Sequence, residues 1–334
     1  MDLDSLSVLL IWTAIAVYAA AFVCYAFDLA HRSQRAADRK LAAPAVQELV
    51  GVSAGAASTG AGKGGGATPV PTDTAAAPAP RYVMGRIGTS LTALGFLFHL
   101  AGTILRGIAA ERVPWSNMYE FAMTGTLLIV AVYLAVNIRM DLKYLGTFIV
   151  GLIVVLLGGA TTSFYVEVTP LMDPLKSVWL VIHVFVASLG TAFLALAFAL
   201  SVLQLMQTRR ELRILGDQPK TGPGFLATLP TAERLESLAY RFATVGFIFW
   251  TFTLIAGAIW AQDAWGRYWG FDVKETWTFI IWVLYAGYIH ARATRGWRGN
   301  RSAWLSIVGF TAVLFNFTIV NMFFKGLHAY SGLN

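Results

Sequence analysis

Eight apolar stretches dominate the chain, and each is long enough to cross a lipid bilayer as a helix. They run over residues 6–29, 87–109, 118–138, 143–162, 177–206, 241–260, 276–293 and 302–324. A helix needs about 20 apolar residues to cross the hydrocarbon core, and only helices and closed barrels satisfy their backbone hydrogen bonds there. The sequence therefore predicts an all-α polytopic membrane protein with about eight transmembrane helices.

The composition excludes a soluble globular protein. Of the 334 residues, 57% are hydrophobic and 13% are charged, whereas a soluble domain carries about 25% charged residues. Cys24 is the one cysteine, so the chain by itself contains neither a CxxC pair nor a four-cysteine zinc site. No nucleic-acid partner is expected, because the net charge of +7 follows the pattern of a membrane protein.

Basic residues are concentrated in alternate connections between the apolar stretches. Nineteen of the 25 Lys and Arg residues lie in 30–86, 139–143, 207–241 and 291–301. Positively charged connections stay on the cytoplasmic side of a membrane. The sequence therefore predicts that both termini lie outside.

Three regions follow from this pattern. Residues 1–30 form an N-terminal transmembrane anchor, which opens with acidic rather than basic residues and is expected to be retained. Residues 31–86 form a cytoplasmic linker rich in Ala, Gly and Pro, for which the scarcity of large apolar groups predicts disorder. Residues 87–334 form the main membrane domain.

An outward connection, WAQDAWGRYWGFDVKETW over residues 260–277, contains four tryptophans. An aromatic belt at the membrane surface is one interpretation. The other is a platform for a large flat ligand, because a short helix here would place Trp265, Trp269 and Asp272 on one face beside Gly266 and Gly270. The residues alone leave both interpretations open.

Four histidines lie in or beside the apolar stretches, where ionisable side chains are often functional. His183 and His328 flank the tryptophan-rich loop in sequence at a similar level of the membrane, and two neutral imidazoles are what an axially ligated haem iron requires. The alternative is two unrelated interfacial histidines. His99 and His290 lie deeper, either as ligands or as polar groups that pair between helices.

Four motifs, in this order along the chain, resemble those of a known family. WGRYWGFDVKETW is similar to the tryptophan-rich "WWD" signature of haem-handling proteins of c-type cytochrome biogenesis. The upstream PWSNMYEF, the KETW that ends the loop and the terminal GLHAYSG resemble the CcsA (ResC-like) branch of System II. The resemblance covers residues 87–334.

The resemblance implies a haem exporter and cytochrome c synthetase of the bacterial plasma membrane. Such a protein works with a ResB-type membrane subunit and attaches haem to the two thiols of an apocytochrome CxxCH motif on the outer side. It implies that His183 and His328 hold a non-covalent b-type haem by its iron, and that His290 binds a second haem within the membrane. His99 is a substitute for the ligand that the partner usually supplies there.

The resemblance also assigns the loop. Trp265, Trp269 and Phe271 are expected to stack on or border the macrocycle, and Asp272 belongs to the same cofactor site, where with Glu275 it organises the loop. Lys274, Arg267 and Arg106 are the candidates for contact with haem propionates.

Two positions depart from the family pattern Trp-x-Trp-Asp-Pro-Lys-Glu. Phe271 stands for the second Trp and Val273 for the Pro, which would have restricted the backbone. Two other classes remain as alternatives, a dihaem electron-transfer protein and a solute transporter. The dihaem class is disfavoured because no pair of histidines has the spacing typical of such proteins, and the transporter class is disfavoured because the sequence lacks an internal repeat.

Overall fold

A computed structural model describes residues 2–56, 83–170, 176–216, 224–294, 296–324 and 326–327. The regular structure of these residues is entirely helical. The long helices are α1 (Leu3–Ala56), α2 (Val83–Ala109), α3 (Met118–Arg139), α4 (Lys143–Ser163), α5 (Val178–Leu215), α6 (Ala232–Trp265), α7 (Val273–Thr294) and α8 (Asn300–Phe315). A π-helical turn, Asn316–Val320, and a last turn, Asn321–Phe323, continue α8.

Seven helical segments in the described residues are long and apolar enough to cross a membrane. They correspond to seven of the eight predicted spans. The remaining predicted span, 276–293, lies in α7, which has 22 residues but carries Lys274, Glu275, His290 and Arg292. At about 1.5 Å per residue, α7 is nevertheless as long as a bilayer core is thick. The prediction of an all-α polytopic protein with about eight transmembrane helices is confirmed.

The first helix extends beyond its predicted end. α1 continues to Ala56, whereas the predicted span ends at residue 29 and disorder is expected within 31–86. Alanine and leucine are frequent between 36 and 49, and both favour helix. Residues 57–82 of the predicted linker lie outside the described residues.

The helices pack as two groups that α3 joins. α1 lies along α2 and α4, whereas α5 lies along α6 and also contacts α8, which packs on α7. α3 contacts both α4 and α5. Ile11, Tyr18 and Tyr25 of α1 are at most 1% exposed, so the N-terminal helix contributes to the same core as the rest of the bundle.

A buried ionic cluster joins the first three helices at one end of the bundle. Arg106 of α2 is fully buried, and its guanidinium donates to Asp4 of α1 at 2.6 Å and to Glu120 of α3 at 3.1 Å. Arg112 also pairs with Glu120, at 2.6 Å. Nearby, partial burial and a hydrogen bond to Asp4 raise the pKa of the Tyr165 phenol above its usual value. This end of the bundle also contains the cavity described next.

Candidate functional site

A cavity opens at the end of the bundle where α3 and α7 begin and α6 and α8 end. Its volume is about 1130 Å³ including the open mouth. Most of the lining is apolar or aromatic, as is usual for sites that bind large organic ligands. The apolar lining includes Phe121, Leu180, Trp250, Trp260 and Trp269.

His183 of α5 lines this cavity and contacts α6 through its imidazole. Its Nδ1 lies 3.0 Å from the backbone oxygen of Thr253 in α6, and because a carbonyl oxygen only accepts, Nδ1 carries the proton. Nε2 is then the ring nitrogen that carries the lone pair. Metal-binding histidines commonly donate their other ring N–H to a carbonyl in this way. Trp260 lies beside the imidazole, with ring centroids 5.6 Å apart.

A glycine makes room for this imidazole. A Cβ atom placed on Gly257 of α6 would lie 2.8 Å from Cε1 and 3.0 Å from Nδ1 of His183, closer than real Cβ contacts. The missing side chain lets α6 approach α5 and lets His183 reach the Thr253 carbonyl. Sequence analysis missed Gly257, because no local pattern distinguishes it from other glycines in apolar helices.

The tryptophan-rich loop borders the cavity, and only its residues 266–272 are not helical, because 260–265 belong to α6 and 273–277 to α7; the separate short helix considered from the sequence is therefore wrong. α6 ends at Trp265 because Gly266 adopts φ +69°, a left-handed conformation that terminates helices. Trp269 lines the cavity, whereas Trp265 packs near Trp260 with ring centroids 5.8 Å apart. Trp265, Trp269 and Asp272 therefore do not lie on one face of a helix.

Phe271 is unusual in both backbone and exposure. Its φ is +55°, which is uncommon for a residue with a side chain, and its ring is 81% exposed. The ring meets Trp269 edge-on at 6.0 Å. An exposed aromatic ring on an unfavourable backbone contributes little to packing, so such strain points to function.

Asp272 and Glu275 organise the loop, as expected. Glu275 Oε2 accepts from the backbone N–H groups of Gly270 and Asp272, at 2.8 and 3.1 Å. Asp272 accepts from the N–H of Lys274 through Oδ2 and from the N–H of Leu327 through Oδ1. Asp272 therefore caps the start of α7, Glu275 accepts from its backbone N–H, and Asp272 also connects the loop to the segment after α8.

The other predicted histidines lie apart from this cavity or outside the described residues. His328 lies outside the described residues, directly after Leu327. His290 is exposed on α7, about 25 Å along the helix from its start. His99 is fully buried between α1, α2 and α3, where Nε2 lies 2.9 Å from the Met123 oxygen and Nδ1 lies 3.4 Å from the Tyr18 hydroxyl.

The three cations considered for propionates have different surroundings. The guanidinium of Arg106 is fully buried and engaged with Asp4, Glu120 and the Val166 oxygen. Arg267 is exposed. Lys274 lines the cavity.

The structure adds polar groups that the sequence did not assign to a ligand. Trp115 Nε1, Asn117 Nδ2 and Asn316 Oδ1 belong to residues that line the cavity, and these buried atoms lack a hydrogen-bond partner within the described chain. Asn316 begins the π-helical turn after α8, and such turns often occur at functional sites. Asn117 is the N-cap residue of α3.

These features occur in a chain that belongs to the family described as "Cytochrome C assembly protein", whose model matches residues 115–328. The chain is 31% identical over 275 residues to a "Cytochrome c biogenesis protein CcsA" of Trieres chinensis, covering 75% of this chain and 87% of that protein. It is 34% identical over 261 residues to a protein of the same name from Guillardia theta, covering 74% and 85%.

A solved structure shares the fold. The structure titled "Cytochrome c Heme Lyase CcmF" superposes with a TM-score of 0.61 at 16% sequence identity. The match covers 95% of this chain but only 47% of the other, so this chain spans about half of that protein. At this identity the likeness concerns the fold alone.

Proposed function

We propose that this protein carries haem outward and presents it for covalent attachment to the CxxCH motif of apocytochrome c. In this proposal it is the CcsA-like subunit of a System II cytochrome c synthetase. The observation that carries the proposal is the placement of His183, whose protonated Nδ1 faces the Thr253 carbonyl while the residue lines a large aromatic cavity. The names of the relatives support the same role in cytochrome c biogenesis.

The outer haem is held non-covalently, as a b-type haem. His183 and His328 are its proposed axial ligands, and Trp269 and Phe271 border the ring. His290, exposed on α7, is the proposed ligand of a second haem that passes through the membrane, with its other ligand supplied by a ResB-type subunit. His99 remains a substitute candidate, although both its ring nitrogens have partners.

Attachment joins each cysteine thiol to a haem vinyl group. A sulfur–carbon bond forms, the thiol hydrogen goes to the neighbouring vinyl carbon, and nothing leaves. Positioning rather than acid–base chemistry is the task of the protein, because the reacting groups belong to haem and apocytochrome. The cavity fits this task, since it has aromatic walls and an open mouth.

The charge distribution supports a location in the bacterial plasma membrane with the cavity on the outer side. The connections between α3 and α4, α5 and α6, and α7 and α8 lie at the end opposite the cavity. These connections and the helix ends beside them, residues 139–143, 207–241 and 291–301, contain most of the basic residues outside the linker, which favours a cytoplasmic position for that end.

The test is the absorption spectrum of the detergent-purified protein from haem-replete cells, alone and with a ResB-type subunit. We expect reduced bis-histidine haem bands that vanish in the His183→Ala, His328→Ala double variant. His31→Ala is the matched control, because His31 is exposed on α1. Bands that persist in the double variant and depend on His290 would show that the protein binds only the inner haem. No haem in any preparation would overturn the proposal and favour a solute transporter.

A further inference from the structure

The start of α3 forms part of the cavity wall. Ser116, Asn117 and Met118 all line the cavity. Asn117 is the N-cap residue, and its Oδ1 accepts from the backbone N–H of Glu120 at 2.9 Å. The start of a helix carries a partial positive charge and N–H groups without helical acceptors, which together favour an anion.

The side-chain amide of Asn117 adds a buried donor at this point. Because Oδ1 is occupied by the Glu120 N–H, the orientation of the amide is determined and Nδ2 is the remaining group. Asn117 is 6% exposed, and Nδ2 has no partner in the described residues. A buried donor without an acceptor is unfavourable by about 1–3 kcal/mol, so a ligand group that supplies the acceptor would be stabilised here.

A second unpaired donor lies next to it. Trp115 Nε1 is buried and has no partner among the described residues. The Trp115 ring packs on the cluster of Leu180, Val184 and Trp260, and the first two flank His183 on α5. The Trp115 ring is therefore on the side of the cavity that also contains the imidazole, and Asn117 lines the same cavity.

The nearby acidic groups are already engaged. Glu120 pairs with Arg106 and Arg112, and Glu275 accepts from Gly270 and Asp272. Lys274 adds a positive charge to the lining. Glu275 also lines the cavity and balances the charge of Lys274, so the unpaired donors of Trp115 and Asn117 are what the cavity offers to an anionic ligand group.

We propose that Trp115 Nε1, Asn117 Nδ2 and the start of α3 form a carboxylate site within the cavity. Its ligand group is a propionate of the haem whose iron His183 holds, so this inference rests on the proposed function. The site fixes the rotation of the macrocycle about the iron–His183 axis, because the propionates lie on one edge of the ring.

The experiment compares haem with haem dimethyl ester, in which both carboxylates are esterified and the iron and ring are unchanged. Each is titrated into the haem-depleted full-length protein in detergent and followed by absorption. Asn117→Asp is the main variant, because aspartate retains the N-cap acceptor and replaces the N–H donor by a negative charge. Asn137→Asp is its matched control at the other end of α3, where Oδ1 accepts from the N–H of Leu142.

We expect the wild type to bind haem about tenfold or more tightly than the diester. Asn117→Asp should remove that preference by weakening haem binding, and Trp115→Phe, which keeps an aromatic ring, should reduce it. Equal binding of the two ligands by the wild type would overturn the carboxylate site, and so would an equal loss for both ligands in Asn117→Asp. Failure of the wild type to bind either ligand, or binding that does not depend on His183, would instead overturn the proposed function and this inference with it.

Discussion

The carboxylate of Asp272 accepts a 3.0 Å hydrogen bond from the backbone N–H of Leu327, which lies 55 residues further along the chain. The same carboxylate accepts from the N–H of Lys274 at the start of α7. One side chain therefore caps a helix and holds the residue that precedes His328. This relationship predicts that Asp272 positions the segment after α8.

Removal of the Asp272 carboxylate should free the segment after α8. We expect Asp272→Ala to destabilise the start of α7 by about 1 kcal/mol and to increase hydrogen exchange in peptides that contain Leu327. Asp272→Asn keeps an acceptor oxygen and should change both much less. Asp263→Ala is the control, because Asp263 is exposed near the end of α6. Equal exchange in all four proteins would contradict the connection.

Gly257→Ala should displace His183. The added methyl group would lie 2.8 Å from Cε1 of the imidazole, and overpacking of this kind costs about 1–3 kcal/mol. We expect about a tenfold decrease in haem affinity, measured by absorption titration. Gly158→Ala is the control, since a Cβ atom on Gly158 of α4 meets nothing within 4 Å. Unchanged affinity in Gly257→Ala would show that the imidazole does not need this space.

Val273→Pro should leave the fold intact. Val273 is the first residue of α7, where proline is favoured because its missing N–H has no helical acceptor. The departure from the family pattern is therefore compatible with the same loop. Thr276→Pro is the contrasting variant. The N–H of Thr276 donates to the backbone oxygen of Asp272 at 2.9 Å, so proline at this position should lower the free energy of unfolding by about 3 kcal/mol. Thermal unfolding in detergent distinguishes the two, and equal loss in both would contradict this assignment.

Glu120→Ala should destabilise the whole bundle rather than alter the site selectively. Glu120 is fully buried between Arg106 and Arg112, and its removal leaves Asp4 as the carboxylate that pairs with Arg106 and removes the carboxylate that pairs with Arg112. We expect a loss of about 3–5 kcal/mol in the free energy of unfolding. Glu167→Ala is the control, because Glu167 is exposed. A similar melting temperature for both variants would contradict a structural role for the cluster.

The sequence predicted the helices well and the loop only in part. Long apolar runs specify membrane helices without reference to their neighbours, so the predicted span 118–138 agrees with α3 (Met118–Arg139). The short helix considered for the tryptophan-rich loop is wrong because Gly266 adopts a left-handed conformation, which the helical spacing of side chains does not reveal. The polarity of Arg106 suggested a ligand contact, whereas the structure shows that Asp4, distant in sequence, pairs with it.

The sequence by itself determined the all-helical membrane architecture and the resemblance to a haem-handling family, and it made His183 a candidate ligand, because these depend on local composition and motifs. Only the tertiary structure decided which atoms face the cavity. The hydrogen bond from His183 to Thr253 and the space left by Gly257 connect α5 to α6, and the unpaired donors of Trp115 and Asn117 adjoin the same cavity. Such contacts depend on how helices pack, and helical periodicity within one segment carries no information about the neighbouring helix.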